Sequence, residues 1–403
     1  MVNRLARMVT CFALLAVASG ADWLQFRGND NTNVTAEKDL PVSWTDTENV
    51  AWKAPLAGRG VSGPILVDGQ VIVTASSGFR EDRLHVMSYD AKTGALQWER
   101  QFWATGRTQH HPTSAVAANT PASDGRLIFA FYSSNDLICL DLDGNLKWLR
   151  GLTNDYPTAA NDVGMAASPV VIGDTVIVQV ESQGESFGAG IDTTTGETRW
   201  QVPRGKTANW SSPCVARQPQ SGEAVLLQSP DKLSAYDPTS GKELWSYVAA
   251  CGGIASPVAG DGVIYVAAGG LTALRPPATP SETAAVIWEE NRLGPGSPSP
   301  VLGDGRIYVV NRAGVLVAAN AADGKIAWQL RLSGTYWATP LLAGKHLYCV
   351  NENGVAQVVE TDEKAGKIVA NCDFGEQVFG SPAVGDGALY FRAEKNLWKI
   401  AKP

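Results

Sequence analysis

SPVVIGDTVIVQV at residues 168–180 decides the fold of this chain, because it recurs. SPVAGDGVIYVAA starts at Ser256, SPVLGDGRIYVVN at Ser299 and SPAVGDGALYFRA at Ser381. Looser copies begin at Ser62 (SGPILVDGQVIVTA), Thr120 (TPASDGRLIFAF), Ser212 (SPCVARQ) and Thr339 (TPLLAGKHLYCV). Eight copies at intervals of roughly 40–57 residues mean that one supersecondary unit is repeated, rather than that one large core has formed.

Working outward, each copy has a second half: a short strand, a turn with Asp and Gly, and a strand ending in Trp. It reads MSYDAKTGALQW to Trp98, ICLDLDGNLKW to Trp148, AGIDTTTGETRW to Trp200, LSAYDPTSGKELW to Trp245 and VAANAADGKIAW to Trp328. The copy AVIWEE keeps Trp288 without the Gly turn, and QVVETDEKAGKIVA has lost its Trp. Alternation and β-branched residues mark four short strands per unit. Asp-Gly, Gly-Asp and Thr-Gly supply the positive φ of the tight turns. Four antiparallel strands repeated eight times predict an all-β, eight-bladed β-propeller. The Trp residues are expected to wedge the seams between blades. Burying about 150–250 Å² of indole at about 25 cal/mol per Å² stabilises a seam by at most about 4–6 kcal/mol.

The last unit has only three strands. NVAWKAPL, with Trp52 in the repeat's Trp position, is expected to supply the fourth from residues 46–56 and to pair near Leu397–Ile400. Closure through the termini would remove exposed sheet edges.

Arg4 and Arg7, the apolar run over residues 8–18 and the small residues Ala18-Ser19-Gly20-Ala21 read as a signal peptide over 1–21. The run is shorter than the roughly 20 residues of a membrane span. Cys11 lacks the small residues of a lipoprotein signal before it, so the mature protein is expected to be periplasmic or secreted. Residues 22–403 then form a single, monomeric disc. A net charge of −7 and no basic stripe argue against nucleic acid. Cys139, Cys214, Cys251, Cys349 and Cys372 show neither metal nor haem spacing and read as buried apolar residues, with a Cys214–Cys251 bridge across one blade as the alternative.

In a propeller the loops that lead into each Ser-Pro converge on the channel mouth. They carry Arg59, Arg107, His110, His111, Asn161, Asp162, Asn209, Trp210, Tyr336, Trp337 and Phe379 as candidate binding residues. The aromatic residues either wall a pocket for a flat or sugar-like ligand, or plug the channel. His110 and His111 could serve as a base or ligand, or belong to a solvated loop; neighbours on an extended segment point opposite ways and do not chelate one ion together. Asp162 beside Asn161 could act as a base, or as a calcium ligand with a third oxygen donor that the sequence does not name. No catalytic residue, metal site or cofactor is assigned. The charged loop GFREDRLH beside the mouth reads as a solvated face.

These repeats resemble the pyrroloquinoline-quinone (PQQ) repeat, whose tryptophan-docking motif AxDxxTGxxxW stands nearly intact in YDAKTGALQW and YDPTSGKELW. DWLQFRGNDNTNVTAEKDLPVSW at residues 22–44 is similar to the opening of secreted bacterial propellers of this group. The resemblance covers residues 22–403. It implies either of two things. One is a non-catalytic scaffold like the propeller subunit of the outer-membrane barrel assembly machinery (BamB), with a protein or envelope component as partner. The other is a quinoprotein oxidoreductase of alcohols or sugars. That branch would bring PQQ with calcium, a vicinal Cys-Cys, a Glu/Asn/Asp calcium set and a catalytic Asp. Its quinone would stack on Trp210 or Trp337, with Arg59 or Arg107 meeting its carboxylates. A glycan-binding or lyase propeller using the aromatic mouth is a third expectation.

Overall fold

Eight blades of four antiparallel strands, the seventh with a short parallel fifth strand at its inner edge, succeed one another along the chain in a computed structural model that describes residues 22–160, 162–218, 222–278 and 283–403. The expected leader 1–21 and Asn161 lie outside the described residues. The first blade comprises Ile65–Val67, Gln70–Ser77, Arg83–Asp90 and Leu96–Trp103, and the six that follow repeat its order. The eighth takes three strands, Ala383–Gly385, Ala388–Arg392 and Asn396–Ala401, from the C-terminal end. Its fourth is Val50–Pro55, with Val50 opposite Ile400 and Pro55 opposite Asn396. The ring closes through its two ends as the repeat count requires. Helix is confined to single turns at Leu152–Asp155 and Asn291–Leu293 among the described residues.

In six of the eight seams the Trp of the closing strand lies against the Gly turn of the next blade. A Cβ built on Gly94, Gly144, Gly196, Gly241, Gly324 or Gly366 would stand 2.6–2.7 Å from the indole of Trp52, Trp98, Trp148, Trp200, Trp288 or Trp328 respectively. Each of these six indole N–H groups donates to a carbonyl of the same turn, at 2.8–3.1 Å. The seam therefore needs a large flat ring on one side and no side chain on the other. Trp245 is buried too, but the blade it faces lacks the Thr-Gly turn, and its N–H has no partner among the described residues.

Two features were not legible in the repeat. First, the residue before each repeat proline joins a hydrogen-bonded ring. The backbone N–H groups of Gly63, Thr120, Ser168, Ser212, Ser256, Ser299 and Thr339 each donate to the hydroxyl of the next blade's Thr120, Ser168, Ser212, Ser256, Ser299, Thr339 and Ser381, at 2.9–3.1 Å. The eighth position is Gly63, which has no hydroxyl, and a Cβ there would stand 2.5 Å from Ser381 O.

Second, residues 23–37 cross beneath this ring and touch every blade. Trp23 exchanges two backbone hydrogen bonds with Leu66, Leu24 O accepts from Ser123, and Gln25 Oε1 accepts from Val171. Asn31 Oδ1 accepts from Val215, and Arg27 Nη2 donates to Pro257 O. Val34 packs in the cluster that holds Val301, and Val34–Thr35 pairs in parallel with Leu341–Ala343. Glu37 accepts from Gly387 in the last blade. First strands line a propeller's channel with one unpaired edge, and this segment satisfies those edges in sequence.

All five cysteines of residues 22–403 are free and buried. The alternative of a Cys214–Cys251 bridge is therefore corrected: both lie in one apolar cluster, as thiols whose ionisation burial suppresses.

Candidate functional site

The strand-four to strand-one loops build a cup of about 340 Å³ on the axis. Its floor is the ring just described, with Phe26 of the crossing segment, and all eight ring residues line it. Its wall is a second ring, made by the residue two positions earlier in each loop: Val61, Ala118, Ala166, Trp210, Ile254, Ser297, Trp337 and Phe379. On extended backbone every second side chain shares a direction, so the wall repeats the floor's eightfold order. Val61, Ala118 and Ala166 are small on one arc, where His111, Thr113, Val163 and Met165 also line the cup, and Trp210, Ile254, Trp337 and Phe379 furnish most of the rest.

The same alternation sorts the candidates. Trp210 lines the cup and donates its indole N–H to Gly164 O at 2.9 Å, while Asn209 is buried and holds Gln228 O at 2.7 Å. Trp337 lines the cup and donates to Glu352 at 3.0 Å, while Tyr336 is turned into the core and donates to Gln357 at 2.9 Å. Asn209 and Tyr336 thus belong to the packing of the seams, not to the mouth. Burial raises the Tyr336 phenol well above the ordinary range. Phe379 lines the cup and its neighbour Val378 is fully buried.

The two histidines also part. His111 reaches the cup, its Nδ1 2.8 Å from Thr113 Oγ1. His110 turns away, with Nε2 3.2 Å from Glu81 Oε1. Arg59 lies behind the wall, bonded to Pro112 O and 3.5 Å from Glu81. Arg107 and Asp162 are exposed and do not line the cup.

Two charged residues outside the candidate set organise this side. Glu81, in the loop taken as a solvated face, turns inward and accepts from Ser76 Oγ at 2.8 Å and from Val116 N–H at 3.0 Å. Arg392 is buried behind Gly60, and its Nε and Nη2 have no partner among the described residues. Burial, then the charge of Arg59, pulls its guanidinium down to about 10. The spacing of the wall ring was readable in the sequence, as every residue two before the ring position. Nothing local marks Glu81 or Arg392.

The cup's chemistry is therefore mostly apolar and aromatic. Among the described residues no carboxylate and no Lys or Arg lines it, and His111 is its one titratable group. PQQ carries several carboxylates and is held with calcium, so it needs cationic and acidic partners. The residues present do not fit that group, and among the described residues no cluster of three His, Cys, Asp or Glu could hold a metal ion.

The model of the family described as "Outer membrane protein assembly factor BamB" matches residues 15–211, 189–276 and 269–369. The chain belongs to this family. Comparison with curated proteins gives no match. Among solved structures the chain is similar to BamB from Moraxella catarrhalis, at 18% identity and a TM-score of 0.62 over 86% of this chain and 98% of that one. It is similar as well to a europium-containing methanol dehydrogenase, at 15% identity and a TM-score of 0.69 over 93% and 90%. A quinohemoprotein alcohol dehydrogenase from Comamonas testosteroni is similar at 13% identity and a TM-score of 0.64 over 95% and 81%. At such identities these likenesses carry the fold alone. No helix among the described residues is long and apolar enough to cross a membrane.

Proposed function

We propose that this BamB-family chain is an exported, non-catalytic binding propeller that takes a protein of the cell envelope at its mouth. The observation that carries this reading is the apolar cup on the axis, opening on the face where exposed apolar side chains gather. Strand direction puts the two-to-three hairpins, the ends of fourth strands and the loops into the Ser-Pro turns on one face. Among the described residues, Val163, Val248 and Ile254 are exposed large apolar side chains of this face. A concave apolar site with a polar rim suits the anchor residue of a partner. Export rests on the leader composition of residues 1–21. The quinoprotein reading draws no support from the donor set of the cup.

The test is crosslinking and pull-down from an envelope extract with the wild type and with Trp210→Ala/Trp337→Ala, which opens the cup wall without touching a seam indole. A specific protein recovered by the wild type and reduced at least tenfold with the variant supports the reading. Identical recoveries from both forms overturn it.

A further inference from the structure

One corner of the mouth face, at the outer edge of the first blade, combines exposed aromatic rings with unpaired arginines. Phe79 at the tip of the 78–82 turn is fully exposed, at 102% of its reference area, and Trp103 at the end of the fourth strand is 64% exposed. Arg83 sits opposite Trp103 in the sheet, its guanidinium carbon 5.0 Å from the ring centroid. Arg80 follows Phe79 on the tip, and Arg107 lies four residues beyond Trp103. All three arginines are exposed, and none has a carboxylate partner among the described residues.

The tip is held, not loose. Glu81 has a φ of 52°, which turns its side chain inward to Ser76 and Val116. Its N–H closes the turn on Gly78 O at 3.1 Å, and Asp82 O takes the N–H of Ala104 at 2.9 Å. The anchored base leaves Phe79 and Arg80 projecting.

We propose that this corner is a membrane-docking site that takes the surface of an anionic phospholipid bilayer. Three features favour lipid over protein. Phe79 stands fully exposed on its turn and lines no cavity, so among the described residues nothing around it walls in a partner's side chain, whereas acyl chains flow around an inserted ring. An aromatic ring flanked by arginine is the arrangement that settles at a bilayer interface, with the ring among the upper acyl chains and the charge at the headgroups. Finally, a chain of net charge −7 is repelled by an anionic surface except through a basic corner, which fixes its orientation. Docked so, the mouth faces the lipid-water boundary. The proposal stands apart from the protein partner of the cup.

The experiment is co-sedimentation with phosphatidylcholine vesicles, with and without phosphatidylglycerol. It compares the wild type, Phe79→Ser/Trp103→Ser and Arg80→Ser/Arg83→Ser. All forms share one N-terminus, so any contribution of that segment cancels. Expected is wild-type binding that requires phosphatidylglycerol and weakens in high salt. The aromatic variant should bind at least tenfold more weakly. Each arginine removed should cost about fivefold. All forms should melt alike, because these side chains are exposed. Quenching by brominated lipid should fall on Trp103→Phe. Equal binding by all three forms, or no binding by the wild type, overturns the proposal. So does corner-dependent capture of a protein without vesicle binding. Trp210→Ala/Trp337→Ala should leave vesicle binding unchanged, which separates this result from the fate of the cup.

Discussion

Trp98 lies flat under Gly144 of the next blade, where a Cβ would stand 2.7 Å from the indole, and its N–H is tied to Leu142 O at 2.8 Å. Gly144 also has a φ of +76°, whereas Gly125, with a φ of +87°, has open space around it. Gly125→Ala reports backbone strain alone, and about 1 kcal/mol of destabilisation is expected. Gly144→Ala adds the collision with the ring, and a further loss of about 1–3 kcal/mol is expected. Thermal or denaturant unfolding of the two variants measures the difference. Equal losses would mean that docking against glycine contributes nothing.

The closing strand makes a second expectation. Deleting residues 46–56 removes the outer strand of the eighth blade and exposes the edge that ends in Ile400. The deletant should open or aggregate, and an unchanged melting temperature would refute closure. Trp52→Ala is gentler, because Trp52 is only half-buried, and should fall at the low end of about 3–5 kcal/mol.

The hydroxyl ring predicts that removing one hydroxyl and adding the missing one both destabilise. Ser256→Ala leaves the buried N–H of Ser212 without its acceptor and should cost about 1–3 kcal/mol, although only one oxygen is lost. Gly63→Ser supplies the missing eighth hydroxyl and should nevertheless destabilise, because its Cβ meets Ser381 O at 2.5 Å. A rise in melting temperature for Gly63→Ser would show that the ring can be completed.

Acid should weaken the turns. Asp192 is held at about 2, first by Arg199 and then by the N–H groups of Thr195 and Thr194. Asp90 is held below the usual range first by Thr93, and Asp362 by the N–H groups of Lys364 and Ala365. A carboxyl depressed on folding contributes stability that is full above its unfolded value, about 3.9, and is lost as pH falls through the folded one. The melting temperature should therefore decline from about pH 4 towards pH 2, and Asp192→Asn should decline less steeply. Parallel curves for the two proteins would contradict this origin.

The blades, the seams and the ring closure could be read from residue order because each rests on local chemistry: a Gly turn, an alternating strand, an indole at a fixed offset. The cup was legible in half. Tyr336 and Trp337 look equivalent in a sequence, yet adjacent side chains on extended backbone face opposite ways, so one enters the core and one the cavity. Glu81 lay in a charged stretch, and only its left-handed φ turns it inward. The crossing segment was illegible because only its partners, from Leu66 to Gly387, recur with the repeat, whereas its own residues carry no period that points to them.

That same segment sets the order in which the molecule can be finished. Its last residue, Glu37, finds its partner Gly387 only when the final blade has been made, hundreds of residues later, so no partial toroid can satisfy the whole segment. Such long separations slow folding and make it depend on the whole chain. A chain truncated before the eighth blade should leave this segment unanchored at its Glu37 end, and be handled by the cell as unfinished.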